Sequence, residues 1–203
     1  MFRRIAGLAA TAALAVAVLA GCGGGADRAS ADRSAATIAR LGTGDLPGRW
    51  EATRNGGTLS CPALAGALGA ARAASDLLIG ERGVVDDVVL LFPNVLAAKV
   101  QTSAILSAEG RRCIGREMWD RPTGTVPSAT LAVRRVGDDV QAARFTLPTS
   151  PEDRVDVLDV VVVRIGRGAV VVEVASDAPQ LDAGLRDEIV AASVAKLRTA
   201  LNG

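Results

Sequence analysis

Histidine and tyrosine are absent from this 203-residue chain, and aromatic residues make up only 2% of it. Those absences exclude a histidine general base, a Ser-His-Asp triad, an HExxH zinc site and a tyrosine general acid. An excess of one charge is missing too. The chain has 23 Lys and Arg against 22 Asp and Glu, and the formal +1 becomes −1 once Arg3 and Arg4 leave with the first segment. That balance provides no field for phosphate backbones, so nucleic acid is not an expected partner. The Gly-rich segments Gly23–Gly25 and Asn55–Gly57 are too short and wrongly spaced for a phosphate-binding loop. No cofactor or metal motif is present, and none is expected. What remains is a chain that is 49% hydrophobic, suited to one domain plus appendages.

The strongest local signal is at the start. Arg3 and Arg4 precede an apolar run from Ile5 to Ala20, which ends in Leu19-Ala20-Gly21-Cys22. The run is shorter than the roughly 20 residues that span a bilayer, so it reads as an export signal. Its ending resembles the bacterial lipoprotein signal, which implies cleavage before Cys22 and a diacylglycerol on its thiol. Two acyl chains hold a protein to a membrane where one would be marginal. The expected organisation is a signal peptide over residues 1–21, a lipid-anchored flexible linker over 22–44 and one domain over 45–203. A linker of that length would span on the order of 25 Å, letting the domain stand clear of the headgroups.

In an exported chain the remaining Cys61 and Cys113 are expected to form a disulfide. The bridge would be worth roughly 4 kcal/mol in the chain-entropy model. A nucleophilic Cys61 is the rival reading, but without histidine its activating base is hard to find.

Periodicity and turn residues predict the rest. An extended segment enters at Trp50, followed by a helix from Pro62 to about Ser75 and a buried strand from Val84 to Phe92. A helix opened by Pro93 and Asn94 is expected to bury Leu96, Ala97, Val100, Ala104 and Ala108 and to end at Gly110, with an extended piece from Cys113 to Trp119. Two hairpins follow, residues 129–136 with 140–147 and 155–165 with 169–175, turning at Gly137-Asp138-Asp139 and Gly166-Arg167-Gly168. A last helix buries Val190, Val194, Leu197 and Leu201. This order gives an α+β domain, a mainly antiparallel sheet covered by about three helices on at least one face, with room for a ligand cleft.

Trp50, Cys61-Pro62, Phe92-Pro93 before an Ala-rich helix, Cys113, Gly137-Asp138 and Arg164-Ile165-Gly166 together carry a likeness. Over residues 45–203 the chain resembles the PknH-like extracellular sensor domain of actinobacterial lipoproteins and of a receptor kinase. The resemblance implies an antiparallel sheet with packed helices and a cleft for a ligand. The chain departs from it in offering one disulfide where that domain carries two, and no kinase segment.

Other constellations have plainer readings. Ser193 and Lys196 stand at S-x-x-K spacing, but without the companion motifs an ordinary solvated helix face is expected. Asp86-Asp87, Asp138-Asp139 and Glu152-Asp153 could suggest acid/base pairs or a calcium site. Adjacent strand residues point to opposite faces, and turns favour Asp for its backbone bonds, so solvated turns are the expected setting. Arg111-Arg112 and Arg134-Arg135 read as exposed charges able to meet an anionic lipid or glycan. The expected protein is therefore a non-catalytic, lipid-anchored envelope protein on the extracytoplasmic side of the cell membrane, binding a small molecule, cell-wall fragment or envelope protein. The alternatives are a structural partner in the envelope and a hydrolase working through carboxylates or the Ser193/Lys196 pair.

Overall fold

In the computed structural model, residues 23–53, 71–118, 126–146, 157–176 and 181–203 are described. Valine-rich segments supply the centre. The strands β1 (Trp50–Thr53), β2 (Ala71–Ala74), β3 (Leu77–Gly80), β4 (Gly83–Leu91), β5 (Ser128–Thr130), β6 (Asp139–Thr146), β7 (Val157–Ile165) and β8 (Gly168–Ser176) form one eight-stranded sheet. Every pairing is antiparallel. The order is β1-β3-β4-β8-β7-β6-β5, with β2 beside β3 on the same flank of β4.

Four helices are described: α1 (Gly23–Ala39), α2 (Val95–Ile105), α3 (Ala108–Met118) and α4 (Ala183–Asn202). They cover both faces of the sheet. Strand side chains alternate, so Val85, Val89, Leu91, Val161, Val163, Val170 and Val172 share a core with α1 and α4. Val88, Leu90, Phe92, Val160, Val162 and Val171 share a second core with α2 and α3. This double cover explains why valine fills half of the positions of β7 and β8. The α+β class is as expected, with helices on both faces.

The predicted linker is a correction. Residues 23–39 form α1, with Ala36 and Ala39 wholly buried while Ile38 is exposed. Small side chains allow the close approach, and polar contacts fix it. Asp32 receives a two-pronged bond from Arg167 at 2.7 and 2.9 Å, and Arg28 donates to the Pro93 carbonyl at 3.1 Å. Polar Ala/Arg/Asp composition resembles a tether when these distant partners are unknown.

The segment after Pro93 also differs. Asn94 caps α2 through the Ala97 N–H as expected. The helix stops at Ile105, however, and Ser107 caps α3, accepting from the Gly110 N–H. Gly110 therefore lies inside α3. A Cβ there would sit 2.0 Å from the Ile105 carbonyl oxygen, so glycine is what allows the sharp crossing. Residues 113–118, expected to be extended, are helical. Inward-facing residues of α2 are Ala98, Thr102 and Ile105, whereas Leu96 and Val100 face outward. The expected helix from 62 to 75 lies largely outside the described residues; its last part is strand β2. Of the expected 129–136 strand only Ala129 and Thr130 lie in a strand, the short β5 that pairs with β6.

The second expected hairpin, β7 with β8, and the final helix match. Gly166 takes a φ of 54°, as its turn requires, and Asp182 caps α4 by accepting from the Gly184 and Leu185 N–H groups. Gly110→Ala should lower stability by about 1–3 kcal/mol through overpacking against backbone. Urea unfolding checks it; an unchanged midpoint would refute the crossing argument.

Candidate functional site

Cys22 and Cys61 lie outside the described residues. Cys113 is 8% exposed on α3, packed in the core with Leu106 and Ile114. Among the described residues no helix is long and apolar enough to cross a membrane. In the sequence Cys22 is the residue before the first residue of α1.

The polar chemistry of the interior gathers on β4. Ala74 pairs with Val88 and Leu78 with Val85, leaving three residues of one strand opposite two of the other. That is a β-bulge at Ser75-Asp76, facing Asp86-Asp87. The Ser75 hydroxyl repairs the ladder, accepting from the Asp87 N–H at 3.0 Å and donating to Asp86 at 3.1 Å. On the α1/α4 face, Asp87 is wholly buried and accepts from the Leu41 N–H and the Ser193 hydroxyl, each at 3.1 Å.

On the α2/α3 face, Asp86 is 4% exposed and stands opposite Glu173 of β8, which is 9% exposed. Burial raises the Asp86 carboxyl to about 6; the Ser75 bond opposes this rise and the Asp87 charge adds to it. Asp86 Oδ2 and Arg72 Nη2 are buried without a hydrogen-bond partner. The expectation of solvated carboxylates is therefore corrected for Asp86-Asp87. Their divergence across the sheet is as expected, but cross-strand register brings Asp86 to Glu173. A single acid inside Val170-Val171-Val172-Glu173-Val174 was the sequence signal for it.

A second buried carboxylate follows the same logic. Asp159 of β7 is wholly buried and takes a two-pronged bond from Arg144 of β6 at 2.7 and 2.8 Å. Arg186 of α4, 4% exposed, adds a contact at 3.3 Å. Asp138 is a turn residue as expected, accepting from the Gly166 N–H. Glu152-Asp153 lie outside the described residues.

The Ser193/Lys196 pair is separated by its partners. Ser193 is wholly buried and spends its proton on Asp87, while Lys196 Nζ reaches Asp45 at 2.6 Å. The solvated face expected for Ser193 is thus corrected: it closes a core bond. Arg111 bonds the Leu106 carbonyl and Thr130, whereas Arg112 is exposed. Among the described residues no cluster of three or more His, Cys, Asp or Glu is placed to hold a metal.

A groove between the β5–β6 connection and the first half of α4 is lined by Val133, Arg134, Val136, Asp187, Glu188, Val190 and Ala191 and encloses about 180 Å³. Valines make its floor, and Arg134 and Glu188 supply charge. Its volume is below the ~300–1,000 Å³ of drug-sized sites, so it suits a small fragment.

No protein-family model and no curated protein matches the chain. Among solved structures it is similar to the crystal structure of the extracellular domain of PknH from Mycobacterium tuberculosis, with 15% identity and a TM-score of 0.41, over 68% of this chain and 69% of that one.

The Asp86 site generates a pH prediction. The folded chain keeps the Asp86 proton up to about pH 6, whereas an unfolded chain releases it near 3.9. The native state therefore binds more protons between those values, and this contribution to stability is lost as pH rises through about 4 to 6. Asp86→Asn should remove it and gain up to about 3 kcal/mol at pH 7, at roughly 1.4 kcal/mol per pH unit. Parallel stability curves for both proteins from pH 4 to 7 would refute the titration.

Proposed function

We propose that this chain is a lipid-anchored extracytoplasmic envelope protein with a non-catalytic ligand-binding or sensor-type domain. The observation that carries the anchoring is the sequence Leu19-Ala20-Gly21-Cys22 running straight into α1, a helix held to the sheet by Asp32 and Arg28. The acylated Cys22 would hold the domain at the membrane surface, and a Cys61–Cys113 bridge would staple it in an oxidising compartment. The groove beside α4 supports binding of a small amphipathic envelope molecule or cell-wall fragment, with valines for its apolar part and Arg134 or Glu188 for its charged end.

The hydrolase alternative loses support on positive grounds. Ser193 and Lys196 each have a different carboxylate partner, and Asp86 and Glu173 are too enclosed to flank a glycosidic bond.

Cys22→Ala should leave the chain unprocessed or release it from membranes, read by fractionation and intact mass; unchanged behaviour of both would defeat the anchor reading. A thermal-shift screen of muropeptides and lipid headgroup fragments should give a rise in Tm that Ala191→Trp, which fills the groove, abolishes. A silent screen would shift the reading to a structural partner of another envelope protein.

A further inference from the structure

The proposed function leaves one surface unused. Val95, Leu96 and Val100 of α2 are 53%, 71% and 56% exposed. With 100° per residue they share an arc of about 140° with Lys99 and Ser103. Lys99 is the only charged residue of α2, while Ala98, Thr102 and Ile105 on the opposite arc enter the core. An apolar face grouped in this way calls for a covering surface.

The start of α1 indicates which surface that is. At one end of the sheet, Arg167 bonds both Asp32 of α1 and the Phe92 carbonyl, and Arg28 bonds the carbonyl of Pro93, two residues before α2 begins. In the sequence Cys22 is six residues before Arg28, and α1 begins one residue after Cys22. An acylated Cys22 therefore draws the first turns of α2 to the lipid headgroups. We infer that the Val95, Leu96 and Val100 face lies in the bilayer interface as a second, non-covalent membrane contact beside the acyl anchor.

This inference rests on the lipid-anchor reading. Its chemistry is that of an interfacial helix: an apolar face seated at the headgroup boundary, with a lysine to meet anionic lipid. The occupant is the lipid surface itself, chosen over a protein because α1, which follows the proposed acylation site in sequence, is bonded through Arg28 to Pro93, two residues before α2.

The test uses the full processed chain in vesicles of phosphatidylethanolamine and phosphatidylglycerol. An environment-sensitive fluorophore is placed on Leu96→Cys or, separately, on Ile79→Cys. Ile79 is exposed but sits beside Val84, at the opposite end of β4 from Phe92. The label at 96 should blue-shift and be quenched by spin-labelled lipid, and the label at 79 should not. With the fluorophore on Ser103→Cys, Leu96→Glu/Val100→Glu should abolish the quenching while the chain stays vesicle-bound; both changes are on exposed residues and leave the core intact. Acylated chain with equal quenching at 96 and 79, or with none at either, overturns the inference while sparing the anchor. Intact mass without an acyl group overturns the anchor reading and this inference together. Shielding of 96 in cells but not in vesicles would assign the face to a protein instead.

Discussion

Covering a sheet with helices on both sides leaves its central strands no face on which a polar group can meet water. In β4, β7 and β8 the buried valines divide between the two cores, and valine serves both. A charged side chain at such a position survives only with partners supplied by neighbouring elements. Asp87 is met by a backbone amide and a serine, and Asp159 by two arginines. Asp86 has only part of that support and relieves the shortfall by holding its proton to about pH 6. Protonation state in this domain is thus a consequence of topology.

The same partners decide which segments belong to the domain. The backbone after α1 enters the core through the Leu41–Asp87 bond, and α4 enters it through Ser193 on the same carboxylate. One buried aspartate joins α1, β4 and α4. Arg186 and Arg144 join α4, β6 and β7 through Asp159 in the same way. Removing one member of such a buried pair typically costs about 3–5 kcal/mol, because the charge left behind cannot reach water. These links make α1 a structural helix, although its composition alone suits a spacer.

Legibility in the sequence follows the range of the determining contact. The strands β6, β7 and β8, their glycine turns and α4 depend on local periodicity and turn chemistry, and all are readable. Asn94 as a cap is equally local. The break at Ser107 depends on Gly110 touching the Ile105 carbonyl, which no periodicity encodes. Leu96 and Val100 have helical spacing that reads as a buried stripe, yet the structure buries the smaller Ala98 and Thr102 and leaves the stripe outside. The bulge at Ser75-Asp76, and with it the pairing of Asp86 and Glu173, exists only once strand register is fixed. At the candidate groove, Arg134 was legible as an exposed charge, but its sharing a groove with Glu188 and Val190 depends on where α4 lies against the segment between β5 and β6.

Replacing a flexible linker by a docked helix changes what an acyl anchor does to the domain. A tether of the expected length would randomise orientation, whereas the start of α1 is bonded at one end of the sheet. That end holds Pro93 and Arg167, and the far end holds the Arg82–Asp182 ion pair at the start of α4. The groove uses residues 187–191, near that start, while Leu197 and Leu201 lie at Gly168, at the same end of the sheet as Pro93 and Arg167. With 1.5 Å per residue, the groove is roughly 15–20 Å farther along α4 than Leu201. With the proposed acyl group on Cys22, the groove would lie at the end of the sheet away from the headgroups. Ligands arriving from the envelope would then reach it without crossing the proposed membrane contact.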